Sequence, residues 1–302
     1  MSRSLTLLTV HAHPDDETIA SGGVMARYRA EGFRVVCVTS NLGEHGEIVV
    51  PDLDTAENRE RLAEIRHAEL LEALARLGGV ESRLLGYEDS GMMGTSDNDD
   101  PRSFWQADGE DAIGRLVAIV REVRPDVLVT YNDFGGYGHP DHIRTAQTAK
   151  AAFERAGDPT AFPEQLGTGI EAWAPSKLYE TVLSIAGRPE IIRRVHERGI
   201  RAWWVHDEDA SVEERAEREA FMARMAAATG PVTTRIDVRA SLAAKRAAME
   251  AHATQLPRDG VFLGLTMDDW NELMPFEEFT LRAARGLGEV RIPEDDLFAG
   301  LR

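Results

Sequence analysis

From residue 5 onward, short apolar runs alternate with amphipathic stretches. Leu5-Thr6-Leu7-Leu8-Thr9-Val10 has the composition of a first strand and runs straight into His11. Residues 22–30 follow with a helical pattern stopped by Gly32, and 33–39 are apolar and β-branched, a second strand. The spacing over 56–77 predicts one long amphipathic helix closed by Gly78-Gly79. Arg83-Leu84-Leu85 is a short third strand. Residues 86–108, dense in Gly, Asp, Ser and Asn, form a long loop of the kind that usually carries function in a compact domain. A helix over 112–123 and a fourth strand over 126–131 come next. A polar loop over 132–142 then opens a helix to about 155. Strands alternating with helices imply parallel pairing through right-handed crossovers. The expected fold is therefore α/β, with residues 1–155 as a Rossmann-like, doubly wound, mostly parallel sheet.

Beyond 155 the regularity weakens. Strands are expected over 178–185 and 232–238, helices over 213–228 and 241–252, and a surface tail around Pro293. Residues 156–302 are read as an α+β extension that completes the sheet and walls the active site, within one structural domain.

Composition narrows the function. Among the 302 residues, 34 basic and 52 acidic side chains give a net charge of −18. Without a basic cluster, phosphate neutralisation has little to work with, which argues against nucleic acid and against an anionic membrane surface. A neutral or cationic small molecule, or a metal ion, fits better. No apolar run is long enough to span a bilayer. The opening apolar segment is also too short for a signal-peptide core, so a cytoplasmic protein is expected. The single cysteine, Cys37, lies in Val35-Val36-Cys37-Val38 and reads as a small buried hydrophobe. A homo-oligomer is left open.

Ligands of open parallel sheets bind beyond the carboxyl ends of the strands. Two polar clusters fall there: His11-Ala12-His13-Pro14-Asp15-Asp16-Glu17 after the first strand, and Gly135-Gly136-Tyr137-Gly138-His139-Pro140-Asp141-His142 after the fourth. A catalytic zinc takes three N/O ligands and keeps one position open. His13 and Asp16, three apart across a turn at Pro14, suit one ion, and His142 is the best placed third ligand. Asp15 is then a free carboxylate beside the metal, suited to take a proton from an activated water. His139 and Tyr137 are candidates to stabilise the resulting oxyanion, with Asp141 orienting or charge-pairing with His139. One such histidine would more often be a satisfied core residue; two His-Pro-Asp tripeptides, each beyond a strand, shift the weight to a metal site. Gly22-Gly23 lacks the G-x-G-x-x-G spacing, so a dinucleotide is not supported.

These residues resemble the LmbE-like, or PIG-L, deacetylase family, in its His-Pro-Asp-Asp-Glu signature and its later His-Pro-Asp-His motif. The resemblance implies a Rossmann-like fold, one zinc held by His13, Asp16 and His142, Asp15 as general base, and hydrolysis of the amide of an N-acylated glucosamine. Fe2+ is an alternative cation, since such donor sets accept several divalent metals. Leu42-Gly43-Glu44-His45-Gly46-Glu47, Asp89-Ser90-Gly91-Met92 and the second cluster are similar to the branch of the family in mycothiol metabolism that deacetylates N-acetylglucosaminyl-inositol. That similarity implies Arg66, Asp89, Glu47 and Met92 at the substrate, and Tyr137 and His139 as oxyanion-stabilising and proton-donating groups. Ala251-His252-Ala253-Thr254-Gln255 and Leu297-Phe298-Ala299-Gly300 look more like the branch's S-conjugate amidases, the alternative function. Those amidases carry a lysine where this chain has Thr18-Ile19-Ala20-Ser21, which favours the smaller substrate. His252 is a candidate to line the pocket and His11 to support the ligands. His45, His67, His196 and His206 read as surface or structural, and Trp203-Trp204 as packing.

Overall fold

Leu7 and Leu8, neighbours on the first strand, are both fully buried but belong to different cores. That follows from a sheet covered on both faces, where strands become continuous apolar runs and successive side chains point to opposite layers. The computed structural model describes residues 4–183, 188–200, 211–288 and 290–302. β1 (Thr6–His11), β2 (Arg34–Thr39), β3 (Glu81–Leu84), β4 (Val127–Thr130) and β5 (Lys177–Val182) pair in parallel. One face carries α1 (Asp16–Ala30), preceding β2, and α3 (Leu62–Arg76), which follows the short α2 (Ala56–Glu60). The other carries α4 (Gly109–Val123) and α5 (Pro140–Arg155). Cys37 is buried and unpaired in the first core.

Further along come α6 (Pro189–Glu197), α7 (Val212–Ala228), β6 (Thr234–Asp237), α8 (Leu242–Met249), α9 (Met267–Leu273) and β7 (Phe276–Ala284). The sheet order is β3-β2-β1-β4-β5-β7-β6, with β7 antiparallel to both its neighbours. The chain winds one way from β1 to β3 and the other way from β4. The crevice at the carboxyl ends of β1 and β4 is therefore the switch point where this class of sheet binds its ligand.

Four sequence expectations change. The helix expected over 22–30 already begins at Asp16. The helix expected over 56–77 is two, broken at Arg61, whose backbone (φ −112°, ψ 17°) leaves the helical region. β7, α6 and α9 had no strong periodic signal and were not anticipated. The tail lies on the surface only in part: residues 291–293 are exposed, but Leu297 and Phe298 are fully buried, and Glu294 meets Lys177 at 2.5 Å with both side chains enclosed. No helix among the described residues is long and apolar enough to cross a membrane.

Candidate active site

The loop leaving β1 turns sharply at Asp15, whose φ of 103° is uncommon for a residue with a side chain. Its carbonyl accepts hydrogen bonds from the Thr18 amide (3.0 Å) and hydroxyl (2.8 Å), which starts α1. The turn folds Asp16 back so that its Oδ2 accepts from the His13 amide at 2.9 Å and lies 3.6 Å from His13 Nδ1. On the other side of the crevice His139 caps α5, its Nδ1 accepting from the Asp141 amide at 3.2 Å, with Pro140 at the first helical position. One turn in, His142 Nε2 reaches Asp16 Oδ2 at 3.2 Å. Gly135, at φ 64°, makes this approach possible; a Cβ there would stand 2.5 Å from that of His142.

The donor atoms of His13, Asp16 and His142 lie within 4.8 Å of one another. A tetrahedral zinc with ligands at about 2.0–2.2 Å spaces them about 3.3–3.6 Å apart. The separations of 3.2 and 3.6 Å from Asp16 fall at that range. The ring protons also agree. His142 Nδ1 faces the Gly135 carbonyl at 3.1 Å, and a carbonyl only accepts, so Nδ1 carries the proton and Nε2 a lone pair. His13 Nε2 donates to Asp141 Oδ2 at 3.1 Å, so the neutral ring keeps its lone pair on Nδ1. Both free lone pairs belong to the nitrogens nearest Asp16. The residues fit a divalent cation.

Asp141 is fully buried. Burial alone would raise its carboxyl; the His13 ring and the Ser90 donors outweigh that and hold it well below the usual carboxylate range. Its oxygens accept from Asn41 Nδ2 (2.8 Å), the Ser90 amide (3.0 Å) and the Ser90 hydroxyl. Its carboxylate thus serves His13, whereas only its backbone amide meets His139. That corrects the expected charge pair between Asp141 and His139: the residue sits in the first turn of α5, where its amide points back at the cap and its side chain points to His13. Asp89 is also buried near His13 Nε2 (3.8 Å), and its oxygens accept from the Gly91 (2.9 Å) and His45 (3.1 Å) amides.

Asp15 lies beside this centre. Burial pushes its carboxyl up to about 6, against the pull of Arg66, whose Nη2 is 3.5 Å away. Arg66 is itself buried and donates to the carbonyls of Gly43 (2.8 Å) and Pro14 (2.7 Å), bracing both loops. Burial, then the neighbouring His13 and His142, push His139 down to about 3. It is neutral at pH 7, and because Nδ1 accepts the Asp141 amide its proton sits on Nε2. Burial and the carboxylates of Asp16 and Asp15 keep the Tyr137 phenol protonated, its oxygen 3.3 Å from His142 Nε2.

No contact joins the Glu47 or Met92 side chain to this cluster among the described residues. Glu47 is exposed and its carbonyl accepts from Gln255; Met92 is half exposed at 51%. His11 is buried between Ser21 (2.9 Å) and the Tyr131 hydroxyl (3.3 Å), and the Tyr131 ring stacks on His142 at 4.5 Å. Trp203, Trp204 and His206 lie outside the described residues. Asn41, Ser90, Tyr131 and Glu17 were not singled out from sequence. Glu17 and Ser90 lie inside the quoted motifs but had no role assigned; for Asn41 and Tyr131 the available signal was position, each following the carboxyl end of a strand.

Comparison with known proteins places the chain in a family. A model of the family described as GlcNAc-PI de-N-acetylase, PIG-L, matches residues 8–153. A protein of Geodermatophilus obscurus named 1D-myo-inositol 2-acetamido-2-deoxy-alpha-D-glucopyranoside deacetylase is 42% identical, over 100% of this chain and 99% of its own. One from Frankia alni with the same name, numbered 1, is 43% identical over 97% and 99%. Among solved structures, the N,N'-diacetylchitobiose deacetylase of Pyrococcus horikoshii superposes with a TM-score of 0.59 at 19% identity, over 92% of this chain and 84% of that one. The 4-carboxy-2-hydroxymuconate hydratase of Pseudomonas putida gives 0.62 at 16%, over 95% and 100%. At such identities the structures bear on the fold alone, and one fold here hosts two chemistries.

Proposed function

The chain belongs to the GlcNAc-PI de-N-acetylase (PIG-L) family of deacetylases, and on that footing we propose that it removes the acetyl group from 1D-myo-inositol 2-acetamido-2-deoxy-alpha-D-glucopyranoside. The observation that carries the reading is the convergence of His13 Nδ1, His142 Nε2 and the Asp16 carboxylate, with the unligated Asp15 carboxylate beside them. Two imidazoles and one carboxylate suit zinc, and Fe2+ by the same chemistry. A cation held there supplies Lewis acidity toward the amide carbonyl and acidifies water.

Asp15 takes the proton of the attacking water as the C–O bond forms. As the carbonyl oxygen gains charge, the Nε2–H of neutral His139 and the Tyr137 hydroxyl donate to it. The C–N bond then breaks, and the proton held by Asp15 passes to the departing amine, leaving acetate and the free amino sugar. On this reading Asp15 acts in turn as base and as acid, and His139 and Tyr137 serve the oxyanion. Asp89, Glu47 and Met92 are assigned to the sugar and inositol by the resemblance to the family's inositol-sugar branch, and Arg66 braces the Gly43 and Pro14 loops.

The test is acetate release from the acetamido sugar by metal-loaded protein, with a mycothiol S-conjugate run in parallel. Release from the first alone supports this reading. Cleavage of the conjugate alone would replace it with an amidase.

A further inference from the structure

We infer that His252, contributed by the C-terminal half of the chain, positions the base Asp15 by fixing Glu17. The inference rests on the reading of Asp15 as base. Its geometry is independent of that reading. His252 and Glu17 are both fully buried, and His252 Nε2 lies 2.8 Å from Glu17 Oε1. The second oxygen of Glu17 accepts the Asp15 amide at 3.0 Å. Asp15 holds a φ of 103°, a conformation that persists only where its surroundings impose it. Thr18 and Ile19 fix the carbonyl side of the residue. Glu17 Oε2 fixes the amide side.

A carboxylate in such a place needs a partner, because a buried charge left alone turns toward water or takes up a proton. His252 is that partner. Its turn is anchored in its own right: the amide and hydroxyl of Thr254 donate to Glu69 of α3 at 2.8 and 2.7 Å. The other ring nitrogen, Nδ1, is buried with no partner among the described residues. Being enclosed, His252 acts on the reaction through Glu17 and not by touching substrate.

The test compares His252→Gln, whose amide N–H can stand where Nε2 does, with His252→Asn, whose side chain is too short to reach Glu17. Expected for His252→Asn is a fall in kcat of about 10–100-fold with KM and metal content unchanged, the scale of losing a supporting partner. His252→Gln stays within about threefold of wild type. Crystal structures supply a readout free of activity: in His252→Asn the Asp15 backbone leaves its positive φ, and in His252→Gln it does not. Should His252→Asn fail to fold, Glu17→Gln keeps the volume, weakens the same link and is expected to lose about 3–10-fold in kcat alone. Wild-type kcat in His252→Asn, an equal loss in both His252 variants, or an unmoved Asp15 would overturn the inference. If wild type itself releases no acetate, the functional reading fails, and the position of Asp15 still decides this one.

Discussion

His13 Nε2 lies 3.1 Å from Asp141 Oδ2, at the floor of the crevice where no solvent reaches the carboxylate. The pair spans 128 positions of sequence and decides which nitrogen of His13 is free to bind a cation. Asp141→Asn replaces an acceptor-only group by one that must also place an N–H among the Ser90 and Asn41 donors. Metal affinity is expected to fall about 10–100-fold, as for other outer partners of ligating histidines. Competition against a chromophoric zinc chelator measures it, and an unchanged affinity would remove Asp141 from this role.

Asp15 and Arg66 give a pH signature in the metal-free protein. The Asp15 carboxyl titrates near 6, well above an ordinary aspartate, and carbon NMR of labelled protein reads it. Arg66→Met removes the opposing charge 3.5 Å away, so the value moves up. The sign for stability follows. A raised carboxyl binds more protons folded than unfolded, so its contribution is present at low pH and declines as pH rises from about 4 to 6. Asp15→Asn abolishes that decline, seen as a flatter dependence of metal-free stability on pH across this window.

Lys177, Glu294 and Tyr179 clasp the tail to the sheet. Lys177 Nζ meets Glu294 Oε1 at 2.5 Å, and the Tyr179 hydroxyl meets Oε2 at 2.6 Å, all enclosed. Lys177→Met leaves the carboxylate without its cation. The expected cost is about 3–5 kcal/mol, or roughly 10 °C of melting temperature. Lys177→Met with Glu294→Leu recovers part of it, because no buried charge remains. A double variant less stable than the single one would contradict this account.

What the sequence made readable and what it concealed have physical causes. β1 and β2 are covered on both sides, so they appear as predominantly apolar, β-branched runs, and the two His-Pro-Asp loops stand where strands end. The proposed ligand set of His13, Asp16 and His142 follows from those two facts. β7 was hidden because Phe276-Glu277-Glu278-Phe279 mixes charge with apolar residues: Glu277 is buried against Lys245 and the amides of Gly23 and Val24, a partnership only the fold creates. The break at Arg61 sits among good helix formers and carries no breaker residue. Leu297-Phe298 is too short a pair to announce its burial. Asp141 was placed near His139 by spacing, but spacing does not say which way a side chain in the first turn points.

The most direct measurement is single-turnover acetate release by Asp15→Asn alongside its metal content. Asn tolerates a positive φ better than most residues, so the turn that carries His13 and Asp16 is kept. The account predicts one metal per chain, as in wild type, and a rate lower by about 10²–10⁴, the usual worth of a positioned base. His142→Ala, by contrast, loses metal and activity together. Wild-type turnover in metal-replete Asp15→Asn would contradict the account, leaving the cation site in place and Asp15 without the role given to it.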